Sequence, residues 1–366
     1  MADGWRRQVP TDDLTLLPLS DGGRDVLDVL TGPEPGGWRQ LAHTVTGPDG
    51  RPRPVTVQHH PGSDAVLLSA EEVLAGDVPD LGAASSVGLG QALAAALELT
   101  PRSILVGLGQ TAVHDGGAGL LAALGVGPGE LATGGAGLSG FTAPGHPRIT
   151  GLAAARDRFA GVTLTAAIRE VDLPLLGLSG TSAVTVTERG ATPEQAQQLE
   201  RNLSGFAHAC EQALGARSSD LLAGGGRSAG GRLQRLPGAG AGGGVGFGLA
   251  ALGFDLRPGP QFVAGALGLA EQVAGVDLVV TGEGCFDWRS LRASVPAALA
   301  EAALAVGVPV IVIAGQVEAG RREITTMGIE SAYALADNAR QLADAMSRPA
   351  DSLAARTARI ARSWTR

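Results

Sequence analysis

SILVGLGQTAVHDGGAGLLAALG, residues 103–125, passes from a buried strand through a glycine loop into an Ala/Leu-rich helix, and that order decides the fold class. The same alternation recurs further on. Val276 to Val280 and Val308 to Ile313 are apolar, β-branched runs soon followed by Gly, with the helix-like Leu291 to Ala305 between them. Strands that are apolar throughout and alternate with helices predict an α/β fold with buried, largely parallel strands. A further helix announces its own ends. Thr192 can cap, Pro193 suits the first position and Gln195 completes a capping box; Leu199, Leu203, Phe206, Cys210 and Leu214 then recur at spacings of three and four until Gly215. Cys210 on that stripe reads as core. Gly125 to Gly151 and Gly215 to Gly240, the latter containing GGGRSAGGR, read as surface loops.

A chain of 366 residues is expected to form about two domains. All 28 basic residues are arginine, and this removes whole classes of function. A Walker A loop, a protein kinase and a pyridoxal phosphate enzyme each need a lysine. Phosphate chemistry in this chain must rely on Arg, backbone N–H groups and metal. Aromatic content of 3% and a net charge of −8 argue against a nucleic acid partner. Cys210 and Cys285 form neither a CxxC pair nor a disulfide framework, which suits a reducing cytoplasm. No apolar h-region follows the first residues. The longest uncharged run, Leu236 to Phe254, holds eight glycines and reads as a loop entering a helix, so no membrane partner is expected.

Four segments could carry chemistry. In residues 103–125 the glycines Gly107, Gly109, Gly116 and Gly117 would let backbone N–H groups approach an anion. Asp115 there could cap the helix, hold magnesium or take a proton from a hydroxyl. Gly107 to Ala112 fits GxGxxA, but no strand ending in an acid follows at the spacing a dinucleotide fold requires. In residues 237–253, Gly238, Gly240 and Gly242 lie among six glycines with no charged side chain, which suits either a phosphate cradle or close helix packing. In VDLVVTGEGCFD, residues 276–287, Glu283 and Asp287 follow a strand and could hold hydrated magnesium, with Gly282 and Gly284 giving a ligand room; a plain polar turn is the alternative. Arg189, before the capped helix, could grip phosphate or stand solvated. No GxSxG, HExxH or paired-cysteine motif is present.

Taken in order, these segments resemble the bacterial glycerate kinase family. The family's ADGGEGT is similar to SDGGRDV from Ser20, its ATSYGTGEL to ASSVGLGQAL from Ala84, and its GIGGSATNDGGAGMLQALG to GLGQTAVHDGGAGLLAALG. NPLCGPxGA, QKGATPE, PGAGAAGGLG and TGEGRxDxQTxxGKVP are similar to LPLLGLSGTSA, ERGATPE, PGAGAGGGVG and TGEGCFDWRSLRASVP.

The resemblance implies a Rossmann-like parallel-sheet domain built from both chain ends (residues 11–62 and 268–366), a second α/β domain (63–267) inserted in it, and a cleft at their junction. It implies transfer of the ATP γ-phosphoryl group to glycerate or a related hydroxy acid, with Mg2+, and leaves a homodimer open. Asp115, Glu283 and Asp287 would be the catalytic acids, the last two also holding the metal. Asp21, Gly22, Gly23 and Ser86 would meet the substrate; Arg189 and the glycines above would meet the nucleotide. The departures concern cations. Family members carry a DSFKGSLSA-like loop before ADGGEGT, and the nineteen residues before Ser20 do not resemble it. The QKGA lysine is Arg189, the later GK pair is Ala293 and Ser294, and the arginine after GEG is Cys285. The Asn before the motif's Asp is His114, the Asn of NPL is Leu173, and the acid of the family's CDV turn is Glu170. Such losses leave a second expectation open: a weak or inactive paralogue that binds a nucleotide or acid for regulation or assembly.

Overall fold

The computed structural model describes residues 1–32, 37–186, 189–215 and 233–364. It is an α/β protein with a mixed, largely parallel main sheet, and it divides into two compact units, 21–262 and 1–20 with 263–366.

The larger unit is built on a six-stranded sheet in sequence order: β1 (Arg39–Thr46), β2 (Pro52–His60), β3 (Ala65–Ser69), β4 (Ser103–Leu108), β5 (Thr163–Ile168) and β6 (Asp255–Pro258). The first three strands pair antiparallel, because a tight turn reverses the chain after β1. Gly50 N donates to Gly47 O at 3.0 Å, and Gly50 takes φ +80°, which favours glycine. From β3 to β6 every pair is parallel. β4 is buried over almost its whole length, as a strand covered on both faces must be.

The helix Pro193–Ala213 carries the capping box that its sequence announces. It buries Leu203, Phe206 and Cys210 in the core, with the Phe206 ring edge to face with Phe247 of the helix Val245–Leu252 at 5.9 Å. Each such side chain contributes roughly 1.5–3 kcal/mol by leaving water. Burial pushes the Cys210 thiol far up, so it stays a neutral core group.

Two sequence expectations change here. Residues 21–62 were expected with the terminal domain, but β1 and β2 continue the hydrogen-bonded ladder of β3 and so belong to the larger unit. Residues 125–151 were expected as a surface loop. They instead form two 3₁₀ segments, Gly129–Thr133 and Gly135–Thr142, that bury Leu131, Leu138 and Phe141 in the core. Of the other expected loop, residues 216–232 lie outside the described residues.

The smaller unit joins both chain ends. β7 (Val279–Thr281), β9 (Val310–Ala314) and β11 (Ile329–Ala334) form a parallel sheet in the order β11–β9–β7, while β8 (Cys285–Phe286) pairs with β10 (Gln316–Val317). The helix Val295–Val306 starts on the Ser294 side chain, which accepts from Ala297 N, and stops at Gly307 with φ +74°. The helix Pro349–Trp364 packs on Ala2–Gln8, and Trp5, Ile311, Ile313 and Ile360 form one apolar cluster. No helix among the described residues is long and apolar enough to cross a membrane.

Candidate functional site

In the larger unit, charged and polar groups gather at the carboxyl ends of the parallel strands, the edge at which open α/β sheets bind ligands. β3 runs into Glu71, β4 into Gly109 and Gln110, β5 into Arg169 and Glu170, and β6 into Gly259. The loop Asp21–Gly23 lies across these ends. Gly23 N donates to Asp21 Oδ1 at 2.9 Å, and Asp21 Oδ2 pairs with Arg169 Nε at 2.9 Å. Glu71 Oε2 accepts from Gln110 N at 3.2 Å.

Glycine makes this crossing feasible. A Cβ on Gly109 would collide with Glu71 and lie 2.7 Å from Gly23 Cα, and one on Gly107 would collide with Val26 and lie 2.8 Å from Gly22 O. Gly22, Gly23, Gly107 and Gly109 are all buried in this contact. Expected to meet substrate or nucleotide, they instead seat one backbone on another, leaving Asp21 as the partly exposed member of that loop's motif. Glu71 and Arg169 escaped the sequence reading. The available signal was a charged residue within two positions of the end of a buried strand.

Asp115 is fully buried and fully engaged. Its Oδ2 accepts from Ser86 N and Ser86 Oγ at 2.8 Å each and from Gly119 N at 3.1 Å, while Oδ1 accepts from Gly117 N at 3.0 Å. Desolvation raises its pKa and these bonds pull the other way. Through Gly117 N and Gly119 N, Asp115 holds the start of the helix Ala118–Ala123. Ser86, expected on the substrate, has its N–H and hydroxyl spent on Asp115 and accepts from Leu120 N at 2.9 Å. Both are positioning residues.

The glycine run packs closely. Gly240 N donates to Leu173 O, Gly242 N to Glu170 Oε2 and Gly116 N to Gly243 O, so these three amides are already used. Gly117 sits at φ +75° with Gly248 Cα 2.7 Å from where its Cβ would be, and Gly238 is buried against Ile168. The segments 113–117 and 238–248 thus touch backbone to backbone. Arg189 donates to Val113 O at 3.4 Å and to Thr111 O, tying the loop after β4. His114 is buried beneath it with Nε2 2.9 Å from Ser182 Oγ, in the π-helical turn Ser182–Val186. Burial first, and then Arg189, lower the His114 pKa to about 3, so its ring is neutral.

In the smaller unit Glu283 lies in the loop after β7 and Asp287 directly follows β8. Glu283 O accepts from Gly315 N at 3.2 Å, which ties the loop to the end of β9. Asp287 Oδ1 accepts from Arg289 N at 2.7 Å and Ser290 N at 3.3 Å, so the polar-turn reading holds for that oxygen. Gly282 packs against Ile313 O, whereas a Cβ on Gly284 would meet nothing within 4 Å. Burial, and then Glu318, Asp287 and Glu283, raise the Cys285 pKa. Carboxylate oxygens such as those of Glu283 and Asp287 suit magnesium, which keeps several waters and takes one or two carboxylates together with phosphate oxygens. Among the described residues no three His, Cys, Asp or Glu side chains are grouped to hold a metal by themselves.

Comparison with known proteins follows the same lines. The family model described as the glycerate kinase family matches residues 1–365. The chain is 34% identical to an uncharacterized protein of Mycobacterium bovis over 99% of this chain and 85% of that one. It is 32% identical to the glycerate kinase of Bacillus subtilis, over 97% and 90%. A crystal structure described as that of a "putative glycerate kinase 2" of Salmonella typhimurium LT2 superposes with a TM-score of 0.72 at 28% identity, covering 99% of this chain and 92% of that one.

Proposed function

The chain belongs to the glycerate kinase family, and we propose that it transfers the γ-phosphoryl group of ATP to a hydroxyl of glycerate or a related small hydroxy acid. The observation that carries the reading is the family match across residues 1–365, and with it the two acids that the smaller unit keeps beyond strand ends, Glu283 after β7 and Asp287 after β8. Glu283 and Asp287 would hold Mg2+, and the bound ion would neutralise charge on the triphosphate. Asp21 and Arg169, at the carboxyl edge of the larger unit, supply polar groups for a small acid.

A second reading, a paralogue that binds nucleotide or acid without turnover, is favoured by Ser294. Where the family carries a lysine, this side chain is buried and used as a helix cap. An ADP-coupled assay with a panel of hydroxy acids separates the two. Turnover with glycerate that is lost in Asp287→Ala supports the kinase. Nucleotide-induced thermal stabilisation without turnover on any acid of the panel supports the second reading and removes the first.

A further inference from the structure

Arg169 is the first residue beyond β5, and its backbone N–H donates to Leu108 O at 3.2 Å, which fixes its Cα between the ends of β4 and β5. The side chain is 42% exposed and touches Asp21 through Nε; Nη1 and Nη2 take no hydrogen bond or ion pair from the described residues. The holder is itself held: Asp21 Oδ1 accepts from Gly23 N, and the Asp21 carbonyl packs against Gly259 at the end of β6. An exposed ion pair of this kind adds only about 0–1 kcal/mol to stability, so the fold has little need of it. What the pair does is aim. A guanidinium gripped along its Nε side keeps its planar fork turned outward, and that fork matches the two oxygens of a carboxylate. The nearby acids are committed elsewhere, Glu71 to Gln110 N and Glu170 to Gly242 N.

We propose that Arg169, steadied by Asp21, binds the carboxylate of the hydroxy-acid substrate and sets the preference for an acid over a neutral polyol. The inference rests on the kinase reading above and adds to it the residue that selects the substrate. The test is steady-state kinetics of wild type, Arg169→Gln, Arg169→Lys and Asp21→Asn with glycerate, glycerol and ATP. Arg169→Gln should raise the KM for glycerate about 10- to 100-fold, the range of a lost charged hydrogen-bond pair. It should cut the preference for glycerate over glycerol by the same factor and leave the KM for ATP and the melting temperature unchanged. Arg169→Lys should recover part of the loss, and Asp21→Asn should show a smaller rise in the same constant. An unchanged glycerate KM in Arg169→Gln overturns the inference while the kinase reading stands, and so does a rise confined to the KM for ATP. If wild type turns over no acid, the kinase reading fails, and calorimetric binding of glycerate decides the site by itself. Binding present in wild type and absent in Arg169→Gln sustains it; equal or absent binding overturns it.

Discussion

Asp115 Oδ2 and Ser86 are joined twice, through the Ser86 N–H and its hydroxyl, both at 2.8 Å and both out of contact with solvent. The carboxylate that most suggests catalysis in the sequence is therefore a structural clamp between the start of the helix Val87–Glu98 and the start of the helix Ala118–Ala123. Asp115→Asn would place an amide where Oδ2 faces only donors. It should cost about 2–4 kcal/mol, or roughly 5–15 °C in melting temperature. Ser86→Ala should lose about 1–2 kcal/mol by the same measurement. A full loss of activity in Asp115→Asn at unchanged melting temperature would return the residue to the chemistry.

The buried His114 makes stability depend on pH. Its folded pKa, lowered to about 3, lies below the value near 6.5 of the unfolded chain, so the unfolded state alone takes up a proton in between. The stabilisation is complete above about pH 6.5 and declines as pH falls toward 3. At pH 5 the loss from this residue is about 2 kcal/mol. His114→Asn, the residue of the family motif, should flatten the decline of melting temperature between pH 7 and pH 4 relative to wild type.

Two glycines should answer oppositely to alanine. A Cβ on Gly243, which sits at φ +68°, would collide with the carbonyl of Val113, so Gly243→Ala should cost more than about 3 kcal/mol and yield little folded protein. Gly284 faces open space, so Gly284→Ala should melt within about 2 °C of wild type. Any change in the KM for nucleotide in Gly284→Ala then reports a ligand at that loop.

Glu283→Gln and Asp287→Asn test the acids after β7 and β8. Each should lower kcat about a hundredfold or more and raise the magnesium concentration for half-maximal rate. Asp287→Asn should also melt slightly lower, because Asp287 organises the turn to Ser290. Wild-type magnesium dependence in both variants would remove the metal from these acids.

Legibility in the sequence followed the range of the forces involved. The capping box at Thr192 and Gln195 and the apolar stripe through Phe206 and Cys210 are local, so their reading held to within a residue or so. The apolar runs from Ser103, Val276 and Val308 were visible because buried parallel strands are apolar throughout, and the structure begins the last two strands at Val279 and Val310. The glycine runs were ambiguous for a physical reason. Bare backbone serves an anion and a neighbouring backbone equally, and the choice depends on which segment arrives opposite. Gly116 and Gly243 found each other.

Composition and order alone determined the α/β class, the exclusion of every lysine-dependent phosphate site, and the family pattern, since each depends on residue identity along the chain. Tertiary structure alone decided that β1 and β2 extend the large sheet, that Asp115 is spent on Ser86, and that Arg169 stands with an open fork beside Asp21. Burial, hydrogen-bond saturation and the facing of charges are relations between residues far apart in sequence: Asp21 and Arg169 meet only because the ends of neighbouring parallel strands and the loop laid across them converge at one edge.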